Sequence, residues 1–375
     1  MHPISTYFRK GTLLSILRPH QPSVVNQKAV AVKKFEFVDF VRFVSMIGIV
    51  WLHCYLTPQG RDKFPPTTDH PLLFILSVQI LKFSSICFFI ISGFLLSNKL
   101  SVEDGFQFYK RRFHSLWRPY AVAFVITFCF YLLRWLVKFH LFQPFELANR
   151  LAFHTSFWFV PNLLFALLIT IVLLKTTNFF YTGLLTTVLL LISTINTVYL
   201  NHEEHTVALF AYAFYLWLGM FIYKKNIIDR VRSMSISVIL AALICSFLLA
   251  VAESYYFTLH HAAAPITFNT LCFSNQLYSI IAFLFLIRIS EYIPAFTLVN
   301  PRKETYGIYL YHMIIISIVI TATEVIQTSF HFKLYSFNTY PTLALSFINF
   351  AICYSLSTLL VKYFVKKKLC YLARE

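Results

Sequence analysis

Apolar runs long enough to cross a bilayer, about 17–25 residues each, recur at residues 37–57, 72–97, 117–138, 158–174, 179–200, 206–223, 233–254, 268–289, 305–326 and 342–365. The pattern predicts an all-α, polytopic membrane helical bundle of about ten transmembrane helices. Loop charge gives the orientation, because Lys and Arg collect on the cytoplasmic side. With the N-terminus inside, the outer loops hold only Arg61, Lys63, Lys138, Arg150 and Lys333, while Arg42, Lys82 and Arg134 fall within helices. The rest of the 32 Lys and Arg fall on the inner side, which predicts that both termini are cytoplasmic. The two halves match neither in helix length nor in the placing of breakers, unlike the inverted repeats of many carriers.

The chain divides into three segments. Residues 1–35 read as a basic, flexible cytoplasmic tail. Its Leu13–Leu17 patch is too short for a signal-peptide core. Residues 36–368 form the integral-membrane domain, and residues 369–375 a short cytoplasmic tail.

Composition agrees with a bilayer as partner. The 375 residues are 58% hydrophobic and 13% charged, against roughly half and a quarter in soluble domains. The net charge of +17 does not argue for nucleic acid, since the basic residues lie where membrane orientation alone puts them. The seven cysteines form no Cys-x-x-Cys pair and sit mostly in apolar runs, so neither a disulfide framework nor a metal is indicated. His202-Glu-Glu-His205 lacks the wider spacing that sets two histidines on one helical face.

Against this background the polar residues inside helices stand out, because ionisable groups in hydrocarbon are costly and usually mark function. Asp39 and Arg42 share a face of the first helix and can pair. His53 lies 11 residues beyond Arg42, roughly 16 Å along a helix, so the two face opposite sides of the membrane. Ser92-Gly93 lightens an aromatic helix, for close packing of another helix or of an acyl chain; Lys82 lies earlier on that helix. Lys110, Arg111, Arg112 and Arg118 enter the third helix. Such a cluster reads as a positive-inside anchor or as a phosphate site. The ninth helix carries Tyr306, Tyr309 and His312, a functional histidine or a satisfied buried one.

Together these stretches resemble the acyltransferase-3 family of integral-membrane polysaccharide O-acyltransferases. The matching pieces are Asp39-Phe-Val-Arg42 with His53, Phe88-Phe-Ile-Ile-Ser92-Gly93-Phe94, the basic entry ending in Pro119-Tyr120, Phe157-Trp158-Phe159, and Tyr306-Gly-Ile-Tyr309-Leu-Tyr-His312. They cover about residues 35–365. The family often has an Arg-x-x-Arg pair before the third helix; here Ser115 follows Arg112 at that spacing.

The resemblance implies an O-acetyltransferase of a bacterial cytoplasmic (inner) membrane. It would hold no bound cofactor and use acyl-CoA, expected to be acetyl-CoA, as donor. The acceptor would be a hydroxyl of a surface or lipid-linked polysaccharide. His53, Arg42 and Asp39 are then the expected catalytic set, and Lys110, Arg111, Arg112 and Arg118 the donor-binding set. Lys82, Ser92, Trp158, Tyr306, Tyr309 and His312 are expected to support the substrates. Two other readings stay open: a transporter or flippase of a lipid-linked glycan, and a non-catalytic partner of a polysaccharide synthase. Acetyl against succinyl, and base against acyl-carrying histidine, are not decided at this level.

Overall fold

The computed structural model describes residues 24–56, 70–100, 104–139, 144–260, 267–293, 300–330, 339–367 and 369. It is helical throughout, with no strand among the described residues. Helix α1 is Val24–Leu56, α2 Pro71–Gln79, α3 Ser84–Leu100, α4 Gly105–Phe139, α5 Pro144–His154 and α6 Phe159–Thr176. Next in the chain are α7 Phe179–Thr194, α8 Tyr212–Lys224, α9 Ile227–Ser233, α10 Ile236–Leu259, α11 Phe273–Ile289, α12 Pro301–Phe330 and α13 Thr339–Lys366. By contact the chain divides into residues 1–36 and 37–375, and the second unit holds the helical bundle. Most of the expected tail, residues 1–23, lies outside the described residues, as does the end 370–375.

All ten apolar runs are helical, and eight of them are long and apolar enough to cross a membrane. The other two, expected at 206–223 and 268–289, are helical only as α8, 13 residues, and α11, 17 residues. Both are preceded by irregular backbone that is nevertheless buried, at Thr206, Ala208 and Ala211 and at Thr267–Cys272. Away from water such backbone is tolerated only where its polar groups find partners inside the protein, and side chains supply them. Asn162 Nδ2 donates to the Thr206 carbonyl at 2.8 Å and the Trp158 carbonyl at 3.0 Å. The Tyr212 hydroxyl donates to the His205 carbonyl at 3.0 Å, and Ser254 Oγ to that of Thr267 at 2.7 Å. Gln276 Nε2 reaches the Leu271 carbonyl at 2.6 Å and Thr194 Oγ1 at 2.9 Å, while its Oε1 accepts from the Tyr215 hydroxyl at 3.0 Å.

The central helices are α3 and α12. The apolar spans of Pro71–Ser97 and Pro301–Thr323 are each 67% buried, against 22% for Ile236–Leu259, whose exposed side is apolar and suits lipid. Helices α3 and α8 cross at backbone contact. A Cβ on Gly93 would stand 1.9 Å from the Leu216 carbonyl oxygen, and one on Gly219 2.0 Å from that of Ile90. Gly93 therefore serves close helix packing, while its neighbour Ser92 faces two interior cavities.

Candidate active site

The site is built from residues of α1, α3, α4, α6 and α12. In α1, Arg42 Nη1 lies 3.3 Å from Asp39 Oδ1, as the three-residue spacing allows. The other carboxylate oxygen accepts from Arg302 Nε of α12 at 2.7 Å. Asp39 thus holds two guanidinium groups, one from its own helix and one from 263 positions away.

Arg42 and Arg302 open onto a cavity of about 890 Å³. Its basic wall comes from α4, where Arg111, Arg112, His114, Ser115 and Arg118 recur at helical spacing on one face. Lys99 closes one end, and Leu95, Leu96, Leu163 and Leu216 form the apolar wall. The α4 helix passes Pro119, which has no N–H for the Ser115 carbonyl; one residue on, the Leu116 carbonyl accepts the Tyr306 hydroxyl at 2.6 Å, tying α4 to α12.

A narrower space of about 90 Å³ continues from this cavity, sharing Arg42, Ser92, Leu95, Arg112, Leu163 and Arg302 with it. Beyond that rim its walls are Ile49, Phe88, Ile91, Leu116, Phe159, Thr305, Tyr306 and Tyr309. Two of these, Ile49 and Tyr309, lie one helical turn before His53 and His312 on the same two helices. Side chains so spaced are neighbours. Tyr309 is held there by its hydroxyl, which donates to the Ser156 carbonyl, and by the Phe159 ring at 5.5 Å.

One turn beyond Ile49 and Tyr309 the two histidines meet. The ring centroids of His53 and His312 are 5.2 Å apart and tilted by 48°. His312 is fully buried. Its Nδ1 lies 3.1 Å from the Ile308 carbonyl and 2.7 Å from that of Tyr309, so Nδ1 carries the hydrogen and Nε2 the lone pair. Nε2 has no hydrogen-bond partner among the described residues.

The structure therefore gathers Asp39, Arg42, Ser92, Arg111, Arg112, Arg118, Tyr306, Tyr309, His53 and His312 along one path. Three of the expected residues stand off it. Lys110 is exposed on α4 and does not line the cavity, because it falls outside the face bearing Arg111, Arg118 and Ser115. Lys82 is buried at the turn between α2 and α3, within electrostatic reach of Cys272, and lines neither space. Trp158 is walled in by Phe89, Tyr212 and His205, at 6.3, 5.2 and 5.1 Å, so it serves the wall and offers no open face. Arg302 and His114 were not foreseen. In sequence Arg302 is one more inner-loop arginine, and only its pairing with Asp39 sets it apart. Among the described residues no group of three or more His, Cys, Asp or Glu is placed to hold a metal ion.

A helical membrane bundle with a basic cavity, and a histidine pair one turn beyond the smaller space that adjoins it, defines a class of intramembrane transferase site. The chain belongs to the acyltransferase-3 family: the family model, an acyltransferase domain, matches residues 35–371. It is a membrane acyltransferase. Comparison with curated proteins and with solved structures gave no match.

Proposed function

We propose that this acyltransferase moves an acetyl group from acetyl-CoA, bound from the cytoplasmic side, to a hydroxyl of a surface or lipid-linked polysaccharide on the other side of a bacterial inner membrane. The observation that carries the proposal is the basic cavity adjoining a smaller neck whose lining includes Ile49, one turn from His53. Guanidinium groups offer forked donors matched to phosphate oxygens. Arg42, Arg111, Arg112, Arg118 and Arg302 would hold the phosphates of the donor, and the neck its thin thioester arm. His53 takes the proton of the acceptor hydroxyl as general base. The hydroxyl oxygen then bonds to the acyl carbon, the carbon–sulfur bond breaks, and the proton goes to the departing thiolate.

The neck also bears on the acyl group, which must enter it ahead of the arm. Its walls beyond the rim are Ile49, Phe88, Ile91, Leu116 and Phe159, with Thr305, Tyr306 and Tyr309, whose hydroxyls are committed to the carbonyls of Pro301, Leu116 and Ser156. An uncharged acetyl group fits such a lining. A succinyl carboxylate would lose its hydration there at a cost of several kcal/mol, and the arginines at the rim would hold it back.

The test is transfer of labelled acetyl from acetyl-CoA to membrane glycan extract by the full chain in lipid nanodiscs, with mass analysis of the product. His53→Ala is expected to lose about 10²–10⁴ in rate and to melt like the unaltered protein. An active His53→Ala variant would sink the assignment. Movement of unmodified glycan without acetyl incorporation would favour a flippase instead.

A further inference from the structure

A buried acceptor without a partner is uncommon in native interiors and calls for an explanation. His312 Nε2 is such an atom. Its lone pair is fixed in place because Nδ1–H is committed to the carbonyls of Ile308 and Tyr309, and the residue has no exposed surface through which to turn toward solvent. The nearest ring that can donate to it is His53, 5.2 Å away between centroids. The two rings are not hydrogen-bonded as they stand; a turn of the His53 ring that points one nitrogen at Nε2 brings the pair to hydrogen-bond distance, about 3 Å.

The geometry points to His312 as the positioning residue for His53. Its Nε2 accepts an N–H of the His53 ring, which leaves the lone pair of His53 on the other nitrogen, toward the acceptor hydroxyl. When His53 takes the hydroxyl proton and becomes an imidazolium, the N–H facing His312 stays bonded to a fixed lone pair in a dry site. There such a bond is stronger than in water. His312 itself exchanges no proton: the one that His53 takes leaves with the thiolate, and both rings return to their starting states. The arrangement has the logic of a catalytic triad in which a third group holds the base in one tautomer, with a neutral imidazole in place of the carboxylate. A histidine in the last turn of α1 facing one inside α12, and the orientation of the buried one, have a joint reason in this arrangement that a packing role does not give.

This role rests on the acyl-transfer reading, and three variants separate the two. His312→Asn keeps an N–H at the position of Nδ1, so it can still bond the Ile308 and Tyr309 carbonyls, but it removes the acceptor. His312→Gln places an amide oxygen within the reach of Nε2. His312→Leu removes both. Acetyl transfer from acetyl-CoA to membrane glycan extract is measured for the full chain in nanodiscs, with kcat and KM resolved. The expected result is a kcat lowered about 100-fold in His312→Asn and His312→Leu, recovered at least tenfold in His312→Gln, with KM for acetyl-CoA within about twofold throughout. His312→Asn at unaltered kcat would overturn the role, as would His312→Gln no faster than His312→Asn, or a loss confined to KM. Should His312→Leu fail to fold, the Asn and Gln pair decides alone. No transfer by the unaltered protein would sink the donor-and-acceptor reading first, and this role with it.

Discussion

Replacing Gly93 by alanine tests the backbone contact between α3 and α8. A Cβ at this position would lie 1.9 Å from the Leu216 carbonyl oxygen and 2.6 Å from its carbon. Both are backbone atoms of α8, so no side chain can swing aside; the axes must part by about an ångström before a methyl is accommodated. Overpacking costs about 1–3 kcal/mol, and this contact belongs at the upper end because contacts along the crossing loosen together. Alanine returns about 1 kcal/mol through its better helix propensity. The net loss is then about 2 kcal/mol, a fall in melting temperature of roughly 2–3 °C for a chain of this size. The same reasoning predicts a like fall for Gly219→Ala, whose Cβ meets the Ile90 carbonyl oxygen at 2.0 Å.

Gly307→Ala is the internal control. Its new methyl would meet the methyls of buried Val361 at 2.7 and 2.9 Å, side-chain atoms at a longer distance than the backbone oxygen at Gly93, so a smaller shift relieves them. There the propensity gain and the crowding nearly cancel, and the melting temperature should move by less than about 1 °C. The assay is thermal unfolding of the three purified variants in one detergent, tracked by tryptophan fluorescence. Gly93→Ala melting with the unaltered protein while Gly307→Ala falls would refute the reasoning.

Arg302→Ala should raise KM for acetyl-CoA about tenfold, the size of one lost charge-assisted bond; Lys110→Ala, on a residue outside the cavity, should leave it within twofold, and the reverse order would remove the cavity from donor binding. Asn162→Leu strands the Thr206 carbonyl, which now accepts at 2.8 Å, and should cost about 1–3 kcal/mol of stability, read as a lower melting temperature; no shift would mean the irregular stretch before α8 needs no cap. At Asp104 the Lys175 ammonium, 2.9 Å away, and the amides of Gln107 and Phe106 hold the carboxyl below its ordinary value. Its contribution is therefore present above about pH 4, the unfolded value, and is lost as pH falls through the lower folded one. Lys175→Met should flatten the melting-temperature curve in that acid window at low salt, and an unchanged curve would dismiss the pair as a source of stability.

How much of this could be read from the residues depends on the range of the signal. Apolar length and loop charge act locally, so all ten helical runs were legible, and so was the shared face of Asp39 and Arg42. The shortening of α8 and α11 was not. Hydropathy counts Thr206–Ala211 and Thr267–Cys272 as apolar, whereas what unwinds them is a set of donors from Asn162, Ser254 and Gln276, most of them far away in sequence. Arg302 was hidden for the same reason, since charge along the chain cannot tell an anchor from a residue that shares a carboxylate with Arg42. The face of α4 was legible only in part. A basic cluster in sequence has no inside until the helix is placed, and placing it turns Arg111, Arg112 and Arg118 inward while leaving Lys110 outside.

The paired histidines show where local and distant information meet. Each was conspicuous alone, as a titratable group in an apolar run, and each had an ordinary reading as a satisfied core or interface residue. The carbonyls of Ile308 and Tyr309 satisfy only one nitrogen of His312. A histidine kept for packing would gain by having both satisfied, since an unmet acceptor in the interior costs about 1–3 kcal/mol. The open acceptor lies next to His53, one turn from a space that shares Arg42, Arg112 and Arg302 with the basic cavity. An acceptor left open at that place is accounted for by the ring N–H that His53 turns toward it as the base takes up its working orientation.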